Sequence, residues 1–80
     1  MVQLTKTADK QLKRLQRDIS ERVGGAIRTL ALEPTAGKRL TGNLKGRWSY
    51  RAGRSYRIVY EIHGGDVLVL TITPRRDAYR

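Results

Sequence analysis

Along the first third of the chain, apolar residues recur at helical spacing. Ala8, Leu12, Leu15 and Ile19 follow one another at intervals of four, three and four, with Lys10, Lys13, Arg14 and Arg17 between them. This predicts an amphipathic helix over roughly 7–16 with its cationic side in water. Thr7 is the expected N-cap, and the alternation Val2-Gln3-Leu4 ahead of it predicts a short strand. Asp18-Ile19-Ser20-Glu21 has the form of a capping box and predicts the start of a second helix. Val23, Ile27 and Leu30, with Ala26 and Ala31, make its apolar face. Gly24-Gly25 weakens that helix by about 1 kcal/mol per glycine, and Pro34 ends it. So short a join predicts an antiparallel helical hairpin.

After residue 34 the period changes. Residues 34–46 read as a flexible basic loop, with Leu40 and Leu44 expected to pin it to the core. Three strands come next, at about 47–52, 55–62 and 67–73, joined by Ala52-Gly53-Arg54 and by His63-Gly64-Gly65-Asp66, whose paired glycines accept positive φ. Alternation places Tyr56, Ile58, Tyr60 and Ile62 on one side of the middle strand and Ser55, Arg57, Val59 and Glu61 on the other. In the last strand it sets Leu68, Leu70 and Ile72 against Val67, Val69, Thr71 and Thr73. If Trp48 and Tyr50 share the helix-packed face, Arg51 and Arg57 share the open one. The expected fold is α+β: one domain over 1–80, in which a helical hairpin packs on one face of a mainly antiparallel four-stranded sheet, in the order β-α-α-β-β-β.

Composition narrows the chemistry. Eighty residues with 39% hydrophobic content bury roughly 60–65% of the surface of the unfolded chain, so the core is thin. There is no cysteine and one histidine, which excludes a disulfide framework and the usual zinc sites; no metal or other cofactor is expected. Neither a G-x-G-x-x-G nor a Walker pattern occurs, and the scattered carboxylates offer no pair for metal-dependent nuclease work. No segment approaches the ~18 apolar residues of a membrane span, and the N-terminus lacks a signal h-region, so a cytoplasmic location is expected.

The formal charge is +10, which favours polyanionic partners. Residues 34–80 carry ten Lys and Arg against three Asp and Glu, and they also hold all five aromatic residues. Cations interleaved with aromatics suit single-stranded nucleic acid. Arginine predominates, and it binds phosphate bidentately and stacks on bases. Arg51 and Arg57 on an open sheet face, flanked by Arg75, Arg76 and Tyr79, would form a phosphate-binding concavity. Fixed guanidinium groups there would stabilise the charge that develops on a phosphodiester under attack. RNA brings its own nucleophile, the 2′-OH.

The stretch Leu40-Thr-Gly-Asn-Leu-Lys-Gly-Arg-Trp-Ser-Tyr-Arg, then Tyr56-Arg-Ile-Val-Tyr-Glu-Ile and Arg75-Arg-Asp-Ala-Tyr-Arg80, resembles the RelE/ParE superfamily of bacterial toxins over essentially the whole chain. The likeness is greater to the RelE branch. It implies a toxin of a type II toxin–antitoxin system that cuts translated mRNA in the ribosomal A site and is neutralised by a cognate antitoxin protein. Its expected partners are thus the antitoxin, the ribosome with its rRNA, and mRNA. The alternatives are a ParE-like inhibitor of DNA gyrase and an inactive nucleic-acid-binding relative. The resemblance implies catalytic roles for Arg57 as the transition-state arginine, Arg75 at the scissile phosphate, Tyr79 at the substrate nucleotide and Arg51 as a strand cation. Lys45 and Arg47 are implied to grip rRNA or message, and Lys38, Arg39, Arg54 and Arg76 join them as expected RNA- or ribosome-binding cations. Two departures stand out: Pro74 replaces a histidine that many relatives carry, and Arg51 stands where a lysine is frequent. An arginine stays protonated, so the general base is unassigned, with Tyr79 and Glu61 as candidates. His63 reads as a surface residue, Trp48 as core or sheet-edge packing, and Tyr56 and Tyr60 as core.

Overall fold

The computed structural model describes residues 1–74. The elements are β1 (Val2–Leu4), α1 (Lys6–Lys13), α2 (Arg17–Leu32), β2 (Lys38–Arg39), β3 (Trp48–Ala52), β4 (Tyr56–His63) and β5 (Asp66–Pro74). The strands form one sheet in the order β1-β5-β4-β3-β2. β1 runs parallel to β5, and every other pairing is antiparallel. The two helices cover one face. The architecture is the expected α+β, with a fifth strand in place of four: β2 lies inside the stretch expected to be loop, between the 3₁₀ turns Pro34–Ala36 and Gly42–Leu44.

The core is built where helical and strand periods meet. Ala8 from α1, with Val23, Ala26 and Leu30 from α2, packs on Ala52, Ile58, Tyr60, Val67, Val69 and Ile72 of the sheet. Leu12, Leu15, Ile19 and Ile27 border this cluster, whereas Ala31 is exposed. α2 runs unbroken through Gly24-Gly25. Leu40 and Leu44 do not join the core, and Leu44 is exposed. Loop 40–47 is closed by its own backbone instead, through the Leu40 N–H donating to the Arg47 carbonyl at 2.8 Å.

Both helix starts differ from expectation. α1 begins at Lys6, and its N-cap is Thr5, two residues before the expected Thr7: Thr5 Oγ1 accepts from the Ala8 N–H at 3.1 Å and donates to the Leu70 carbonyl at 2.8 Å. Thr7 lacks that second link to the sheet. α1 also stops at Lys13, so Leu15 packs from the link between the helices. α2 already starts at Arg17 behind Gln16, which makes no side-chain cap. Asp18 and Glu21 therefore sit in or beside the first turn, where negative charge suits the helix dipole, rather than in a capping box.

The register of β5 carries the largest correction. Val59 faces Thr71 but Tyr60 faces Val69, so Leu70 is an extra residue in a β-bulge. Alternation slips by one at that point. Val67 and Val69 are buried before the bulge and Ile72 after it, which combines residues that strict alternation puts on opposite faces. β1 pairs with β5 only through Val69, and α1 satisfies what lies beyond: Thr5 takes the Leu70 carbonyl, and Gln11 Oε1 accepts from the Ile72 N–H at 2.6 Å. Replacing Gln11 by Ala leaves that part-buried N–H without its partner. The expected loss is about 1–3 kcal/mol, read as a lower urea midpoint at unchanged m-value.

Candidate nucleic-acid interface

β3 and β4 pair Trp48 with Tyr60, Tyr50 with Ile58 and Arg51 with Arg57. Directly opposed residues share a face, so Trp48 and Tyr50 lie with the helix-packed set and Arg51 and Arg57 on the open side, as expected. β2 extends that side. Its Lys38 faces Ser49, and its Arg39 faces Trp48, so these two consecutive cations point to opposite sides of the sheet.

Lys38, Ser49, Arg51 and Arg57 line an open concavity of about 430 Å³, with Ala36, Gly37 and Tyr50 completing it. Lys38 and Arg51 are exposed and Arg57 is half-buried. None of these lining residues is a carboxylate. Lys38, expected as an RNA- or ribosome-binding cation, lies beside the two arginines, because the unforeseen strand β2 carries it there. The sequence signal for this was weak: a two-residue strand has no periodicity to read.

The remaining expected cations lie elsewhere. Arg39, Lys45 and Arg47 border a second hollow with Trp48. Arg54 lies in the β3–β4 turn beside Arg22 and Tyr56. Glu61 is on the open face but outside the concavity. Its Oε1 contacts His63 Nε2 at 2.9 Å, and its Oε2 lies 3.8 Å from Arg47 Nε. A carboxylate engaged in this way is poorly placed to act as the base. Arg75, Arg76 and Tyr79 lie outside the described residues, as does any part Tyr79 plays as a base.

The position of β2 depends on Tyr60. This fully buried phenol donates to the Pro34 carbonyl at 2.7 Å and accepts from the Gly37 N–H at 3.1 Å. Gly37 must be glycine for reasons of space. A Cβ there would come within 2.5 Å of both the Ser49 carbonyl oxygen and the Tyr60 hydroxyl. Burial raises the pKa of the Tyr60 phenol above its ordinary value of about 10, the Gly37 N–H partly opposes this, and the Tyr50 phenol adds to it.

The sequence model of the ParE toxin of type II toxin–antitoxin systems matches residues 2–79. Among solved structures, a chain of the RelBE2 toxin–antitoxin complex from Mycobacterium tuberculosis is 33% identical with a TM-score of 0.85, over 94% of this chain and 96% of that one. The YoeB/ParE toxin from Agrobacterium tumefaciens shares the fold at 23% identity and a TM-score of 0.78, over 91% and 95% of the two chains. The E. coli RelBE complex does so at 16% and 0.76, over 90% and 92%. A search of curated protein sequences gave no match. The fold and its cationic open face thus define a small toxin of the RelE/ParE superfamily. The chain belongs to the ParE toxin family of type II toxin–antitoxin systems.

Because the folded phenol keeps its proton to higher pH than the unfolded one, the Tyr60 contribution is complete below pH ~10 and is lost as pH rises beyond it. Unfolding free energy should therefore fall more steeply above pH 10 in the wild type than in Tyr60→Phe. That variant should also be about 1–3 kcal/mol less stable at pH 7, since the Gly37 N–H and Pro34 carbonyl lose their partner. Denaturant titrations at pH 7 to 11 measure both effects.

Proposed function

We propose that the protein is a ribosome-dependent endoribonuclease, a cytoplasmic toxin that cuts mRNA during translation and is held inactive by a cognate antitoxin. The observation that carries this reading is the concavity where Lys38, Arg51 and Arg57 converge, with no carboxylate among the described residues that line it. Arg51 faces Arg57 across β3 and β4, so both guanidinium groups stand on the side from which a phosphate would enter.

In this reading the 2′-OH of the message attacks the adjacent phosphorus. The P–O5′ bond breaks, leaving a 2′,3′-cyclic phosphate, and the proton that the 2′-OH gives up is balanced by the one that the departing 5′-oxygen takes up. Negative charge builds on the non-bridging oxygens, where Arg57 and Arg51 act by preorganised charge. Lys38 holds the neighbouring phosphate. Arg75 and Tyr79 are assigned to the scissile phosphate and the nucleotide by their motif. Arg47, Lys45, Arg54, Arg39 and Arg76 are assigned to rRNA or message. The antitoxin partner is supported by relatives solved as toxin–antitoxin complexes.

A second reading comes from the family description itself, which is of a ParE toxin: inhibition of DNA gyrase by binding, with no need for the arginine concavity. Primer extension on a translated message after induction separates the two. Codon-internal cuts that disappear when translation is blocked, and that fall at least 100-fold in Arg57→Ala with the fold intact, are expected. Intact message accompanied by a DNA-damage response would favour the gyrase reading.

A further inference from the structure

The second hollow, of about 460 Å³, opens at the same edge of the sheet, on the side to which Arg39 points. The half-buried Trp48 indole is its flat wall. Trp48 stacks on Tyr60 at 6.2 Å between ring centroids with 25° between planes, and the Arg39 guanidinium carbon lies 5.3 Å from the indole centroid. Lys45 and Arg47 stand on its rim with Leu40, and no carboxylate among the described residues lines it. Gly42 and Gly46, at φ 66° and 91°, turn the rim loop, and a Cβ at either would meet nothing within 4 Å. These glycines serve the turn, not packing.

We infer that this hollow is a second RNA subsite, which holds one unpaired nucleotide with its base against the Arg39–Trp48 stack and its phosphate at Lys45. Two features favour RNA over an acidic peptide. The Arg39–Trp48 pair offers a planar surface, and guanidinium planes and aromatic rings stack on bases of any identity. The hollow is of single-nucleotide size and has an apolar wall beside a cationic rim, as a base with its attached phosphate requires. Because Lys38 and Arg39 are adjacent in β2 and face opposite ways, an RNA strand crossing this edge places neighbouring nucleotides in the two hollows. The inference takes the identity of the polyanion from the RNA-toxin reading, but its site is separate from the cleavage concavity.

Trp48 is the only tryptophan in the chain, so its emission reports this hollow directly. The test is titration of the full chain with a single-stranded hexaribonucleotide, inorganic polyphosphate and a polyglutamate peptide. RNA is expected to quench Trp48 saturably. Arg39→Ala should weaken that binding about tenfold, and Arg39→Lys, which keeps the charge but not the plane, should weaken it nearly as much. Lys10→Ala, which removes one exposed cation from α1 on neither hollow, should leave both the affinity and the quenching amplitude in place. Unchanged thermal unfolding of these variants excludes misfolding. Quenching that is insensitive to Arg39→Ala, or that polyphosphate or polyglutamate reproduces with the same Arg39 dependence, would overturn the subsite. Retained quenching in a protein that cuts no message would overturn the cleavage reading instead.

Discussion

The phenol of Tyr60 joins the core of this small protein to its functional surface. One hydroxyl, in the middle of the central strand β4, holds the Pro34 carbonyl and the Gly37 N–H together, and so fixes where the chain leaving α2 returns to the sheet edge. The approach is close enough that Gly37 tolerates no side chain. Directly after Gly37 the chain enters β2, only two residues long. Such a strand cannot hold its own position, since its ladder to β3 is too short to outweigh the entropy of ordering the chain. Tethered by Tyr60, it delivers Lys38 to one side and Arg39 to the other. Both cationic hollows therefore depend on a bond between neutral groups that touches neither Lys38 nor Arg39.

This dependence also explains which parts of the fold were legible in sequence. Local period sufficed for Ala8, Val23, Ala26 and Leu30 on the helices and for Ile58 and Tyr60 on β4, because a half-buried element must repeat with its own geometry. The Gly64-Gly65 turn was equally legible, since positive φ at both positions (57° and 92°) favours glycine. Features set by distant partners were not. Thr5 displaces Thr7 as N-cap because its hydroxyl also reaches Leu70. The β5 bulge survives because Thr5 and Gln11 take up backbone groups that the slipped ladder leaves over. β2 exists because of Tyr60. Each is a tertiary hydrogen bond between residues more than twenty positions apart, and no local pattern encodes it.

The candidate site divides along the same line. Arg51 and Arg57 were legible as neighbours because strand alternation and a short connection determine which residues oppose. The place of Lys38 beside them was not legible, because a two-residue strand has no period to read. Glu61 was open to two roles until its contacts with His63 and Arg47 were known. The resemblance to RelE/ParE toxins, now supported by the family match over residues 2–79, gave the residues roles that geometry could not give. A fold shared by relatives does not fix an activity, so the choice between cleaving RNA and binding a protein target rests on the arginine concavity.

That concavity has a chemical consequence of its own. A guanidinium stabilises a phosphorane by its charge and not by giving up or taking a proton. In the proposed reaction the work would therefore divide between a constant electrostatic field and a proton transfer performed elsewhere. If the substrate is RNA as proposed, 80 residues offer little surface with which to position the strand, and a field of fixed charge would act only on a strand that arrives in line. Positioning would then come from outside the concavity. Within this chain the edge strand β2 sets Lys38 and Arg39 on opposite sides of the sheet, so cations adjacent in sequence border both hollows.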